Sequence, residues 1–127
     1  MQTLSNSDPK PPKERKERKG NADMRRRQIL DATLRSIILS GLAKTTLATV
    51  AAEADLSQGV AIFYFKSKNG LLSEALRELY QNYEDNWEAA LANAPNNPAA
   101  KLRAIIEADF DAEICNNDTL AVWFAFW

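Results

Sequence analysis

From residue 23 onward, apolar and polar positions recur with the period of a helix. Ile29, Ala32, Thr33, Ser36 and Ile37 form one stripe, widened by Leu30, Leu34 and Ile38, and predict a helix from Asp23 or Met24 to Ser40 with Gly41 as its stop. A shorter stripe follows, with Leu47, Val50, Ala51 and Ala54 at i, i+3, i+4 and i+7 behind Thr46, a residue suited to the N-cap. Ala51, Ala52 and Ala54 are small enough for a second helix to approach closely, and Asp55 tolerates the left-handed backbone of a tight turn. Leu56 then turns inward and Ser57 caps a third helix, Gln58 to Phe65, in which only Ala61 and Phe65 share the inward face. Gln58, Val60, Ile62 and Tyr64 point elsewhere, and Phe63 is assigned to packing against the next helix. So many outward apolar and aromatic groups require a reason.

Beyond Lys66-Ser67-Lys68-Asn69-Gly70, the spacing of Leu72, Ala75, Leu76, Leu79, Tyr80, Tyr83, Trp87 and Leu91 predicts one long helix, about Leu71 to Leu91. It is long enough to connect two bodies. Residues 93 to 98, N-A-P-N-N-P, break it, and Asn97 can cap a new helix with Pro98 at its first position. That helix is expected to reach about Ile114, burying Leu102, Ile105, Ile106, Asp109 or Phe110, and Ile114. Cys115 to Asp118 interrupt again before a last helix from about Thr119. The closing A-V-W-F-A-F-W has neither a polar face nor a stop signal, which predicts a chain that continues past Trp127. The fold class is all-α, divided into a disordered basic tail (1–23), a three-helix domain (24–70), and a connecting helix with an incomplete helical domain (71–127).

Charge sharpens this division. The formal net charge of −1 is the sum of a basic half, with 13 Lys or Arg against 7 Asp or Glu in residues 1–68, and an acidic half, with 3 against 10 in residues 69–127. The basic half holds the short-helix pair, as phosphate neutralisation would require. Arg25, Arg26 and Arg27 fall at the expected start of the first helix, where the dipole disfavours cations and a phosphate would relieve the cost. The tail, with Pro9, Pro11, Pro12 and K-E-R-K-E-R-K-G, is too polar to fold alone; it is either an arm that follows a DNA backbone or a solvated segment. One cysteine, no export signal and no apolar run of membrane-spanning length predict a cytoplasmic protein with no membrane partner. Without histidine, a glycine-rich phosphate loop or a cluster of metal-ligand spacing, catalytic residues, metal and cofactor are all expected to be absent.

Two short helices joined by a tight turn, the second with an outward mixed surface, describe a DNA-binding helix-turn-helix. The Thr45-Thr46 pair, Ala51-Ala52, D-L-S-Q-G at 55 to 59, Tyr64-Phe65-Lys66-Ser67-Lys68 and Gly70-Leu71-Leu72 resemble the N-terminal domain of TetR-family transcriptional regulators, over about Arg25 to Leu79. The resemblance implies a homodimeric, ligand-responsive repressor that binds a palindromic operator in double-stranded DNA and dimerises through C-terminal helices beyond this chain. It further implies that Thr46, Tyr64 and Lys68 hold phosphates, while Gln58, Gly59 and Val60 lie at the major-groove end of the recognition helix. Gln58 is the residue able to pair with an adenine edge, and Val60 and Ile62 can offer only apolar contact to a thymine methyl. Many members carry Thr at the position of Val60 and Tyr at that of Ile62, so polar contacts expected of the family are missing.

R-R-R-Q-I-L-D-A-T-L at 25 to 34, F-K-S-K-N-G-L-L at 65 to 72 and V-W-F-A-F-W at 122 to 127 resemble the BetI-type subgroup, which implies choline or another quaternary amine as effector. Such a cation is held by aromatic faces and carboxylates, here Phe110, Trp123 and Trp127 with Asp109 and Asp111 nearby. The same aromatic stripe also suits a helical core. A helical protein-interaction adaptor without DNA binding is the alternative function.

Overall fold

The structure, a computed structural model, describes residues 12–127, with Pro12 defined by its backbone only. The described residues form six helices: α1 Pro12–Ser40, α2 Leu47–Glu53, α3 Gln58–Phe65, α4 Lys68–Asn93, α5 Pro98–Asp109 and α6 Asn117–Phe126. Local chemistry sets most of the boundaries. Thr46 and Thr49 make a reciprocal capping box at α2, and Ser57, Ser67, Asn97 and Asn116 each accept from a backbone N–H three residues on. Gly41 ends α1 at φ 82, its N–H bonded to the Ile37 carbonyl at 2.9 Å. Asp55 takes the left-handed conformation, φ 57, that the turn between α2 and α3 requires.

Long-range packing joins these pieces in two clusters along α1. In the first, Ile29, Leu30 and Ala32 meet Val50 and Ala54 of the α2 unit, Phe65 of α3 and Leu71 and Ala75 of α4. In the second, Ile37 meets Leu79 of α4 and Val122 of α6. The turn between α1 and α2 is fastened by Thr45, wholly buried: its hydroxyl donates to the Gly41 carbonyl at 2.9 Å, so Ser36 is the donor in their 3.0 Å contact. Gln28 of α1 donates to the Ala54 carbonyl at 2.7 Å and holds the α2–α3 turn from behind.

Several expectations are corrected. Of the predicted disordered tail, residues 1–11 lie outside the described residues, but residues 12–23 are the opening turns of α1, with residues 13–23 exposed apart from a half-buried Ala22. Pro12 opens that helix and Lys, Glu and Arg propagate it well, with Lys13–Glu17 and Glu14–Arg18 at pairing distance in sequence. Arg25, Arg26 and Arg27 are therefore mid-helix and carry no terminal dipole cost. Ala52 is exposed, leaving Ala51 and Ala54 as the close-approach residues. α4 starts at Lys68 rather than Leu71, because Ser67 is its cap. α5 stops at Asp109 and is rotated from the expected face: Leu102 and Ile106 are exposed, while Ala104, Ile105 and Ala108 face inward. Alanines permit closer helix contact with α4 than the larger side chains would.

Candidate nucleic-acid interface and effector cleft

α3 is anchored by Ala61 and Phe65, both buried, and its opposite side is open. Gln58 and Gly59 are exposed, Ile62 is 43% exposed and Phe63 is 70% exposed. Val60 and Tyr64 occupy the shoulders, half-buried against the first core cluster. Phe63 thus corrects the expectation that it packs inward. It stands two residues from both Ala61 and Phe65, which at 100° per residue is the far side of the helix, so the spacing itself carried the signal. Its ring meets Tyr64 edge-on, with centroids 5.2 Å apart at 88°.

The cations around α3 are sorted by their partners. Arg26 is paired with Glu74 at 2.7 Å and lies over the Phe65 ring at 4.8 Å. Arg27 is shared between Asp31 and Glu78, and Arg35 meets Glu53 at 3.1 Å. These three are committed within the fold. Arg25, Lys44 and Lys66 make no ion pair among the described residues. Arg25 lines a cleft with Ser57, Gly59, Val60, Phe63 and Tyr64, and a neighbouring cleft joins Arg25 and Arg18 to Tyr64. Lys66 follows α3 directly, and Lys68 reaches the Ala43 carbonyl at 3.4 Å beside Lys44 and the α2 cap. The structure therefore exposes Gln58, Gly59 and Ile62 on α3, with Val60 and Tyr64 together on one half-buried shoulder and Lys68 in the first turn of α4. Thr46 lies at the start of α2, its hydroxyl already accepting from Thr49 N–H at 3.1 Å. Phe63 joins the open side of α3 against expectation, and the exposed Lys44 and Lys66 flank the motif without having been named as site residues from the sequence.

Gly59 has a diagnostic environment. A Cβ built there would meet only Ser57 Oγ, at 3.9 Å. The fold has no need of a glycine at this position, although glycine in a helix costs up to about 1 kcal/mol relative to alanine. By contrast, a Cβ on Gly70 would lie 2.4 Å from the Phe65 carbonyl oxygen, so that glycine is required where α3 meets α4.

In the acidic half, Tyr80, Tyr83, Asp109, Ile114, Cys115, Leu120, Trp123 and Trp127 enclose an open-sided cleft of about 410 Å³. Tyr83 donates to Asp109 Oδ1 at 3.0 Å and its ring meets Trp123 edge-on, with centroids 6.2 Å apart. The hydrogen bond to Asp109, reinforced by partial desolvation and by that negative charge, raises the Tyr83 pKa above its ordinary value, so the phenol remains a donor throughout the neutral range. The contribution of this bond to stability is complete below the ordinary tyrosine range and is lost as pH rises through the elevated value. Trp123 and Trp127 line this cleft. Phe110 does not; it caps α5, exposed, outside the lining. Tyr80 and Tyr83 replace it as aromatic walls.

The α1–α3 geometry, with its capped short helices, left-handed turn and rimmed outward face, defines a helix-turn-helix module of the DNA-binding class. Residues 29–75 match the family of bacterial regulatory proteins described as the tetR family. The chain is 41% identical over 111 residues to the HTH-type transcriptional regulator BetI of Paraburkholderia xenovorans (strain LB400), covering 85% of this chain and 55% of the relative. It is 41% identical, with the same coverage, to the BetI regulator of Burkholderia thailandensis. Among solved structures, a candidate transcriptional regulator from Pseudomonas aeruginosa PAO1 superposes with a TM-score of 0.77 at 28% identity, over 83% of this chain and 50% of that one. The multidrug binding protein EbrR, crystallised with imidazole, gives 0.61 at 27% identity, over 80% and 56%. Residues 29–75 thus carry a match to the tetR-family N-terminal domain, and the chain spans about half the length of the curated relatives it matches. No helix among the described residues is long and apolar enough to cross a membrane.

Proposed function

We propose that this protein is a sequence-specific DNA-binding transcriptional regulator, a repressor that acts as a homodimer on a palindromic operator and is released by a small molecule. The observation that carries this reading is the open face of α3, which exposes Gln58, Gly59, Ile62 and Phe63 and shares a cleft with Arg25, a cation with no ion pair among the described residues. In this reading α3 enters the major groove, Gln58 pairs with a base edge, and Gly59, Val60 and Ile62 lie close to the bases. Thr46, Tyr64 and Lys68 hold phosphates and fix the register. Lys44, Lys66 and Arg25 add to that grip.

Gel retardation with the full protein and DNA flanking its own gene, at a series of salt concentrations, tests the reading. Affinity is expected to fall steeply with salt, and Lys66→Ala or Lys68→Ala to lower the slope of log affinity against log salt by about 0.9 each. Gln58→Ala should cost roughly 1 to 3 kcal/mol of discrimination between operator and random sequence. A protein-interaction adaptor would show no salt-dependent retardation at all.

The effector is assigned to the Tyr80–Tyr83–Trp123–Trp127 cleft and to the class of quaternary amines such as choline. Aromatic walls with one carboxylate suit a cation that has no hydrogen-bond donor on its head group. EbrR, similar in fold, is described as a multidrug binding protein, and the curated relatives the chain matches include BetI regulators. Titrating tryptophan fluorescence of the full protein with choline and betaine aldehyde should give a saturable change that Tyr80→Ala weakens. A flat response to both would reduce these aromatics to packing.

A further inference from the structure

The outward face of α3 is chemically one-sided. From Gln58 to Phe65 the helix carries no charged residue, and of its exposed side chains only Gln58 has hydrogen-bonding groups. Guanine is read in the major groove by arginine or lysine at O6 and N7, and cytosine by a carboxylate accepting from N4. This helix offers neither. It offers one amide, suited to adenine, and two exposed apolar side chains, Ile62 and Phe63.

The major-groove edges of the bases present one apolar group, the C5-methyl of thymine. Phe63 is steadied by its edge contact with Tyr64, and Gly59, one turn earlier on the same side, leaves space beside it. Arg25 on the shared cleft and Lys66 immediately after the helix make a polyanion, rather than an apolar protein surface, the occupant that suits the charge of this face. Resting on the reading of α3 as the recognition helix, we propose that the protein selects its half-site through thymine methyl groups, read by Ile62 and Phe63, beside an adenine read by Gln58. The contacted positions are A·T pairs, and Phe63 is a specificity-determining residue.

The test begins with duplexes selected from a random pool by the full protein, which should share A·T pairs at the centre of each half-site. The selected duplex is then compared with one carrying uracil in place of those thymines, a change that removes only methyl groups. Affinity should drop about fourfold per methyl lost, the equivalent of one buried methylene-sized group. Phe63→Ala, an exposed substitution by a better helix former, should weaken binding to the thymine duplex and leave the uracil duplex nearly unaffected, so that the ratio between them contracts. A ratio near one for the unaltered protein, or equal weakening of both duplexes by Phe63→Ala, overturns methyl reading while leaving DNA recognition intact. Failure of every duplex to bind in a salt-dependent manner overturns the recognition reading itself.

Discussion

Gly70→Ala should dislocate α3 from the long helix behind it, lowering thermal stability and abolishing the proposed DNA binding together. The new methyl would lie 2.4 Å from the Phe65 carbonyl oxygen, and that oxygen has little freedom to retreat. It accepts from Ser67 N–H at 2.7 Å across Lys66, whose φ of 66 and ψ of −47 close a strained three-residue turn. On one side the Phe65 ring is buried in the core beneath Arg26; on the other, Ser67 Oγ caps α4 by accepting from Gly70 N–H at 3.0 Å. Relief therefore requires α3 and α4 to separate. Overpacking of this kind costs about 1 to 3 kcal/mol. Thermal denaturation followed by circular dichroism reads the stability, and retardation of an operator fragment reads the geometry. A variant with unchanged melting and unchanged affinity would show that the corner between the helices yields without consequence.

The second large effect has the opposite sign on stability. Gly59→Ala should raise the melting temperature, since space beside that position is open and alanine is favoured over glycine in a helix by up to about 1 kcal/mol. Gly59→Leu should also fold, yet hold α3 away from the bases. It would then forfeit at least the roughly 1 to 3 kcal/mol assigned to the Gln58 contact. Stability and DNA affinity thus move apart at Gly59, whereas at Gly70 they fall together. Wild-type affinity in Gly59→Leu would mean that no surface closes on this face of α3.

Much of the fold was legible along the chain because its determinants are local. Thr46, Ser57 and Asn97 cap helices with bonds that span three residues, and Asp55 bends the chain by its own backbone preference. The inward stripe of α1 and the Ala61–Phe65 pair follow from helical periodicity alone. The same periodicity places Phe63 on the outside, against the expectation that it packs on the next helix. Ser67 likewise has the chemistry of a cap, although the apolar repeat of α4 begins later.

Other features have no local signature. Three consecutive arginines look alike in sequence, yet Arg26 is claimed by Glu74, 48 residues away, and Arg27 by Asp31 and Glu78, while Arg25 is left to the α3 cleft. Which stripe of α5 faces α4 was decided by the closeness that Ala104 and Ala108 allow, against the larger apolar area of Leu102 and Ile106. The cleft walls Tyr80, Tyr83, Trp123 and Trp127 come from α4 and from α6 with its C-cap, segments distant in sequence that pack together beside α1. The sequence by itself determined the helices, their caps, the tight turn and the tetR-like motif, because each depends on bonds and spacings within a few residues. Tertiary structure alone decided which cations stay outside ion pairs among the described residues, which face of α5 packs on α4 and which aromatics share a cleft, because each depends on a partner distant in the chain.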